Sequence, residues 1–227
     1  NFGGQGTFPN SSVDAIVKTF EYVQQTGPFS PAIFAWLQEQ QEATRQALGQ
    51  ELGGEPSCFA LTQNVTEGCN IVMWGLDWQA GDHLLLTDCE HFGVIHAAKQ
   101  IQRRRKLELT FCPLSRAENS AQMLDVVVKA LRPSTRLVVL SHVLWNTGQT
   151  LPVSEIVAAC HAAGALVLVD GAQSAGALQL DLGGKDKADF YAITGHKWMC
   201  GPEGVGTLYV DPAALEILEP TFVGWRG

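Results

Sequence analysis

The feature that most constrains the fold is a regular alternation of short apolar runs with longer helical patterns. The runs are CFAL (58–61), HLLLT (83–87), LELTF (107–111), RLVVLS (136–141), ALVLVD (165–170), FYAIT (190–194) and GTLYV (206–210). Between most of them lie helical patterns, at 66–78, 92–105, 119–132 and 154–163. Nearly continuous apolar strands that alternate with helices are typical of a mostly parallel sheet covered by helices on both faces. We therefore predict an α/β fold of this kind.

Two amphipathic helical patterns precede the first apolar run. The first starts near Ser12 and runs to a Gly-Pro break at 27–28. The second has Ser30 as its N-cap and Pro31 at its first position, and it ends at two glycines, 53–54. No internal repeat and no low-complexity linker follows. We expect these helices to be an N-terminal segment of the same domain.

The amino-acid composition limits the kinds of partner that the protein can bind. The chain has 227 residues, of which 46% are hydrophobic, and a formal net charge of −8. One large core is therefore possible, and a nucleic-acid or anionic-membrane surface is disfavoured. The dense basic run at 103–106 closes a helical pattern, where cations complement the helix dipole. We interpret it as a solvated helix end, with phosphate or RNA contact as the alternative.

Further sequence features indicate the cellular compartment of the protein and whether it binds a metal. No apolar stretch reaches the length of a membrane span, and no charged-then-apolar leader opens the chain, so we expect a cytoplasmic protein. The six cysteines are scattered without a CxxC pair, which favours reduced thiols over a disulfide framework. Cys89, His91 and His96 lie close together in sequence. Because no second ligand cluster accompanies them, we predict no metal site.

The unusual polar residues follow the apolar runs. In open α/β sheets, ligands bind beyond the carboxyl ends of the strands. The segments at those ends are TQNVTEG (62–68), DCEH (88–91), HVLWNTG (142–148), DGAQSAG (170–176) and GHKW (195–198). We therefore predict the functional site at this edge of the sheet.

The first of these segments leads directly into a helical pattern. The amides of Val65 and Thr66 and the Thr66 hydroxyl can bind an anion at the positive end of that helix. A capping box built on Thr66 or Asn64 is the alternative interpretation. The chain has no Walker loop, and no GxGxxG follows the first strand, so a single phosphate fits better than a nucleotide.

Two charged residues stand at the ends of apolar runs. Asp170 closes one run, and a carboxylate buried there needs a cationic partner. We interpret it as an acid that holds a protonated ring nitrogen. The alternatives are a helix N-cap and an internal ion pair. Lys197 follows another run, and an exposed loop lysine is its alternative. An amine at a desolvated strand end has a lowered pKa and can form a Schiff base with an aldehyde. Phosphate anchor, buried acid and amine together predict a site for pyridoxal 5′-phosphate.

Several ordered motifs resemble those of one enzyme family. The motifs NVTEG, EH, WNTG, VDGAQS, TGHKW and GPEGVG resemble those of class V aminotransferases, the branch of fold-type I pyridoxal-phosphate enzymes that includes cysteine desulfurases. The resemblance covers essentially all 227 residues and implies the large, cofactor-binding domain of that fold. Family members usually carry a further C-terminal region. We therefore expect residues 1–227 to be a fragment that contains the large domain without the C-terminal small domain.

The resemblance also implies roles for individual residues. It assigns Lys197 to covalent attachment of the cofactor, Asp170 to its ring nitrogen, and His91 to stacking on the ring and to proton transfer. Gln173 is implied to hydrogen-bond the ring 3′-oxygen, and Asn146 to lie near that oxygen and the substrate carboxylate. The implied phosphate ligands are Val65, Thr66, Thr194 and His196. The residues expected to act in catalysis are Lys197, His91 and Asp170.

Within this family, three segments are most similar to the cyanobacterial-type cystine C–S lyases: NFGGQGTFP, HVLWNTGQTLP and PTFVGWRG. Cysteine desulfurases usually show a GGGQE-like loop where this chain reads GWRG. The resemblance thus implies a homodimer that acts on cystine or a cysteine-like amino acid by β-elimination, giving pyruvate, ammonia and a persulfide.

Other activities remain open. A cysteine desulfurase, a class V aminotransferase and an isopenicillin N epimerase-like enzyme share the same cofactor chemistry. A cofactor-binding or dimerisation fragment without turnover is the non-enzymatic alternative. Arg226 is a candidate clamp for the substrate carboxylate, although we favour support of the adjacent loop as its role.

Overall fold

The computed structural model describes residues 1–224, and its centre is a seven-stranded sheet. The strands are β1 (Phe59–Thr62), β2 (His83–Thr87), β3 (Glu108–Cys112), β4 (Thr135–Ser141), β5 (Leu166–Asp170), β6 (Phe190–Thr194) and β7 (Gly206–Val210). The helices are α1 (Asn10–Thr26), α2 (Pro31–Leu52), α3 (Val65–Gly75), α4 (Phe92–Arg105), α5 (Ser120–Ala130), α6 (Val153–Ala162) and α7 (Pro212–Leu215). Short 3₁₀ turns lie at Pro56–Cys58 and Leu114–Arg116.

The strand order is β1-β7-β6-β5-β4-β2-β3. Strand β7 runs antiparallel to both of its neighbours, and every other neighbouring pair is parallel. The predicted mostly parallel sheet is therefore confirmed. The chain moves outward from β2 to β3 and then returns to place β4 and β5 on the other side of β2. Ligand crevices form at such a reversal of strand order, beyond the carboxyl ends of the strands.

Both faces of the sheet are buried. Along β4, Val138 and Leu140 belong to one apolar cluster with residues of α5 and α6, whereas Leu137 and Val139 belong to a second cluster with residues of α3 and α4. This alternation follows from the two-residue period of a strand. It explains why the strand sequences are apolar throughout, as the sequence indicated.

The two N-terminal helices pack differently. The Ser30 hydroxyl oxygen accepts a hydrogen bond from the Ile33 amide at 3.3 Å and caps α2, as predicted. Helix α2 buries Ile33 and Leu52, while α1 has no buried residue. Helix α4 ends at Arg105 within the basic run, which confirms that run as a helix terminus. Within residues 1–224, no helix combines the length and apolar character that crossing a bilayer requires.

Candidate active site

An open cavity of about 1220 Å³ lies beyond the carboxyl ends of β4, β5 and β6, between the starts of α3 and α4. Apart from Asn146, all of the predicted site residues line it. They are Val65, Thr66, His91, Asp170, Gln173, Thr194, His196 and Lys197. The strand ends selected from the sequence therefore border a single cavity. The chemistry of this cavity follows from how each side chain is held.

The start of α3 is both capped and open to the cavity. The Asn64 side-chain oxygen accepts a hydrogen bond from the Glu67 amide at 3.0 Å, and the Glu67 carboxylate accepts one from the Gln63 amide at 2.5 Å. The capping alternative is thus confirmed for Asn64 and not for Thr66, with the returning bond made to the amide of the residue before the cap. It leaves the Val65 and Thr66 amides without a partner in residues 1–224, since the first amides of a helix have none within it. Val65 and Thr66 line the cavity, so the cap leaves their amides available to an anion.

Two glycines let backbone elements approach this helix start. A Cβ on Gly68 of α3 would lie 2.9 Å from the Ala192 Cβ, so α3 packs closely on β6. A Cβ on Gly206 of β7 would lie 2.8 Å from the Asn64 Cα. The start of α3 is therefore held against the end of β6, where the Thr194 hydroxyl and His196 Nδ1 are 2.8 Å apart. Hydroxyl, imidazole and helix amides make this end of the cavity suited to an anion.

Asp170 is a buried acid without a salt bridge in the described residues. It is 4% exposed, and its Oδ1 accepts a hydrogen bond from the Ala172 amide at 2.9 Å. Burial raises the pKa of its carboxyl, an effect opposed by the Ala172 amide and by the charges of Lys197 and His91. The helix-cap and ion-pair alternatives therefore do not describe it.

Lys197 lies half-buried in the cavity wall, not in an exposed loop. Burial lowers the pKa of its amine, and the negative charge of Asp170 partly opposes that shift. Its backbone is held from both sides, because the Gly6 amide donates to the His196 carbonyl at 2.7 Å and the Cys200 amide donates to the Lys197 carbonyl at 3.0 Å. The amine is thus positioned and easier to deprotonate than a surface lysine.

His91 is the N-cap of α4. Its Nδ1 accepts a hydrogen bond from the Gly93 amide at 3.2 Å, so in the neutral ring the proton lies on Nε2. The Trp145 ring meets the His91 ring edge-on at a centroid distance of 5.8 Å. The cap and this aromatic contact fix the orientation of the imidazole at the cavity wall. Trp145 also lines the cavity, and sequence reasoning did not select it.

Gln173 is held by two protein contacts that the sequence did not predict. Its Nε2 donates to the Gly3 carbonyl at 2.8 Å, and its Oε1 accepts from Trp198 Nε1 at 2.7 Å. Phe2 stacks on Trp198 at a centroid distance of 5.9 Å. The N-terminal residues therefore form part of the cavity wall. One amide hydrogen of Gln173 remains for a ligand.

Asn146 is the predicted site residue that the structure does not bring to the cavity. It is exposed in the loop after β4, and its side chain hydrogen-bonds the Cys89 thiol. Its predicted position near the substrate stays a prediction. Arg226, the candidate carboxylate clamp, lies outside the described residues.

Sequence reasoning missed a second buried acid beside the cavity. Glu90 is 2% exposed, and it accepts hydrogen bonds from the Thr87 hydroxyl at 2.5 Å, the Ser141 hydroxyl at 2.7 Å and the Ser141 amide at 3.1 Å. Burial raises its pKa to about 7 despite these donors, and Asp170 adds to the rise. Ser141 lines the cavity and ends β4 beside Asp170. The only sequence signal was a charged residue directly before His91.

Comparison with known proteins decides the family. The model of the aminotransferase class-V family matches residues 12–226. The chain belongs to this family. An isopenicillin N epimerase from Streptomyces clavuligerus is 40% identical over 182 residues, which are 80% of this chain and 46% of that protein. A cysteine desulfurase from Cronobacter sakazakii is 33% identical over 193 residues, 83% of this chain and 46% of that protein.

Two solved structures show the same fold. The cystine C–S lyase C-DES, in complex with its reaction product cysteine persulfide, matches with a TM-score of 0.96 and 47% identity over 100% of this chain and 60% of that one. A C-DES mutant with glycine covalently linked to its PLP cofactor matches with a TM-score of 0.95 and 46% identity, at the same coverage. The predicted fold-type I architecture is confirmed. The chain spans about half the length of the curated relatives it matches.

Proposed function

We propose that the whole protein is a pyridoxal 5′-phosphate-dependent C–S lyase that acts on cystine or a cysteine-like amino acid by β-elimination. The observation that carries this proposal is one cavity that unites the Lys197 amine, the buried Asp170, the His91 ring and the open start of α3. The match of this whole chain to the cystine lyase C-DES supports the choice of reaction.

The cavity residues fit the cofactor. The Val65 and Thr66 amides, the hydroxyls of Thr66 and Thr194, and His196 offer donors for a phosphate. Asp170 is buried with one oxygen that has no hydrogen-bond partner in residues 1–224, as an acid facing a protonated ring nitrogen requires. When bound, the cofactor supplies an electron sink for the electron pair left at the substrate Cα.

The charged residues then have distinct tasks. A buried carboxylate keeps its charge only beside a cation, so Asp170 favours a ligand ring that is protonated at nitrogen. The amine of Lys197, with its lowered pKa, can accept the Cα proton and return it elsewhere. His91 lines the cavity and its ring is held by the α4 cap, which suits it to stack on a planar ligand.

The proposed β-elimination requires no thiol from the described residues. No cysteine lines the cavity within residues 1–224. Burial raises the pKa of Cys89, which lies directly before Glu90 and His91, to about 11, and a thiol of that pKa is a poor nucleophile at neutral pH. A persulfide leaves from cystine more readily than a thiolate leaves from cysteine, because its conjugate acid is the stronger acid. Elimination from cystine therefore needs no attacking thiol.

Epimerisation is the second candidate, because the Streptomyces relative named as an isopenicillin N epimerase is 40% identical. An epimerase must return a proton to the opposite face of Cα, whereas a lyase expels the Cβ substituent. The two activities are therefore distinguished by whether the product keeps the substrate side chain.

The experiment uses the purified whole protein loaded with pyridoxal 5′-phosphate. Cystine should yield pyruvate, ammonia and cysteine persulfide, and borohydride should fix the cofactor on Lys197. The Lys197→Ala variant is the control and should form neither product nor label. Alanine with a persulfide on a protein cysteine would establish a desulfurase instead. Inversion at Cα with the side chain retained would establish an epimerase.

The proposal extends to the assembly. We propose that residues 1–227 supply the large, cofactor-binding domain of a homodimer in which a smaller C-terminal domain completes the site. Exposed apolar side chains on α1 support the dimer, and the partial coverage of the relatives supports the further domain. The six free cysteines favour a reducing compartment such as the cytoplasm.

A further inference from the structure

A buried chain of side-chain hydrogen bonds lies beneath the turn that carries Asp170 and Gln173. His142 Nδ1 and the Tyr191 hydroxyl are 2.6 Å apart, and the Tyr191 hydroxyl and the Ser174 hydroxyl are also 2.6 Å apart. The Ser174 hydroxyl reaches the carbonyl of Gly171 at 3.2 Å. His142 is 5% exposed, and Tyr191 and Ser174 are wholly buried.

The protons of this chain have one arrangement that satisfies every bond. A carbonyl only accepts, so Ser174 must donate its single hydroxyl proton to Gly171. Tyr191 must then donate to Ser174, and His142 must donate from Nδ1 to Tyr191. Burial lowers the pKa of His142, and in the neutral ring this arrangement assigns the proton to Nδ1.

The aromatic ring of Tyr191 shapes the same turn by contact. A Cβ on Gly171 would lie 2.2 Å from Tyr191 Cε1, so the ring occupies the space directly against the turn backbone. The Gly171 amide donates to the Ala192 carbonyl at 2.7 Å, and the His142 amide donates to the Asp170 carbonyl at 3.0 Å. The turn is thus fixed from strands β4 and β6 on either side of β5.

We propose that Tyr191 is a positioning residue that holds Asp170 and Gln173 for the cofactor through Ser174 and the Gly171 backbone. The inference rests on the proposed function, because it concerns the same site. Tyr191 itself does not line the cavity, so its effect is transmitted by the turn between these two cavity residues. The Tyr191 hydroxyl connects this residue to the turn through Ser174.

The neighbouring strand offers a matched control. Tyr209 of β7 pairs in register with Tyr191, is 2% exposed and belongs to the same apolar cluster. Its hydroxyl has no hydrogen bond within residues 1–224. Tyr191→Phe and Tyr209→Phe therefore remove the same atom from the same core, and only the first touches the turn.

The test compares these variants in the whole protein, with pyridoxal 5′-phosphate as the probe. Tyr191→Phe should weaken cofactor binding by about tenfold, since two buried polar groups lose their partner, and should shift the absorbance band of the bound cofactor and its pH midpoint. Turnover number should fall more than the KM for cystine rises. Tyr209→Phe should keep the parental spectrum and affinity.

Ser174→Ala, which breaks the same chain one step nearer the turn, should reproduce the spectral shift even if Tyr191→Phe folds poorly. Parental cofactor spectrum and affinity in Tyr191→Phe or in Ser174→Ala would overturn the inference. A parent protein that binds no cofactor would instead overturn the proposed function, and the two failures are thus distinct.

Discussion

Asp170 forms no salt bridge within residues 1–224, and the only charges that oppose the rise in its pKa are the more distant ones of Lys197 and His91. In Asp170→Asn the side chain can still accept from the Ala172 amide but carries no charge. We expect the variant to fold and bind cofactor, with turnover reduced about 10- to 100-fold, since a charge-assisted hydrogen bond contributes roughly 1.5–3 kcal/mol. Steady-state kinetics with cystine measures this. The control is Asp125→Asn, which removes one charge of an exposed ion pair on α5. Near-parental turnover in Asp170→Asn would count against the proposed role of Asp170.

The raised pKa of Glu90 predicts that the stability of the protein depends on pH. Its folded pKa, about 7, lies above its ordinary value of 4.5, so the native state binds a proton that the unfolded state has released between these values. Its contribution to stability is therefore fully present below about pH 4.5 and is lost as pH rises through 7. The loss between pH 5 and pH 8 should be roughly 2 kcal/mol.

Urea unfolding of the parent and of Glu90→Gln at those two pH values measures this contribution. Between these pH values the variant should lose roughly 2 kcal/mol less stability than the parent, because glutamine does not titrate. Glu118→Gln, an exposed glutamate before α5, should keep the parental pH dependence. An equal pH dependence in the parent and Glu90→Gln would show that Glu90 does not titrate in this range.

At the scale of elements, α3 and α5 offer a matched pair of caps. The Asn64 oxygen accepts from the Glu67 amide at 3.0 Å, and the Asn119 oxygen accepts from the Gln122 amide at 3.0 Å. Asn64→Ala and Asn119→Ala should each cost about 1 kcal/mol of stability. Only Asn64→Ala should also weaken binding of pyridoxal 5′-phosphate, roughly two- to fivefold, because only α3 begins at the cavity. Thermal unfolding and cofactor titration provide the two readouts, and equal affinities in the two variants would contradict the anion role of α3.

The elements themselves were largely predictable, because apolar runs of strand length report burial directly. HLLLT and FYAIT are strands β2 and β6 without a shift. Helix α5 was predicted to reach 132 but ends at Ala130, since Pro133 disfavours helical backbone before it. The reversed direction of β7 was not predicted, because an apolar run has no polarity. The absence of a helical pattern between 194 and 206 was the available signal.

The site was predictable where a residue's position in a strand determines its place. Asp170 and Lys197 follow apolar runs, and the sheet brings strand ends together whatever the sequence between them. Contacts of the N-terminal residues could not be predicted in this way, since Gln173 and Gly3 are 170 positions apart. The Tyr191 chain was likewise missed, because its hydroxyl is hidden within a run that reads as apolar.

The whole molecule presents an apolar helix surface that the described residues do not cover. Helix α1 has no buried residue, and Val13, Val17 and Phe20 on it are 40%, 50% and 68% exposed. These positions are spaced by four and three residues, so they share one face of the helix. A cluster of this kind favours association, and it supports the homodimer proposed above.

Phe20→Glu tests this interface. The parent, loaded with cofactor, should sediment as a dimer at micromolar concentration. A carboxylate in place of the most exposed of the three α1 side chains should raise the dimer dissociation constant at least about tenfold, because the charge loses its hydration when the interface forms. Val128→Glu, an equally drastic change at a 43% exposed site on α5, should leave the dimer intact. A parent that stays a cofactor-loaded monomer throughout this concentration range would refute the dimer, and an unchanged dissociation constant in Phe20→Glu would place the interface elsewhere than α1.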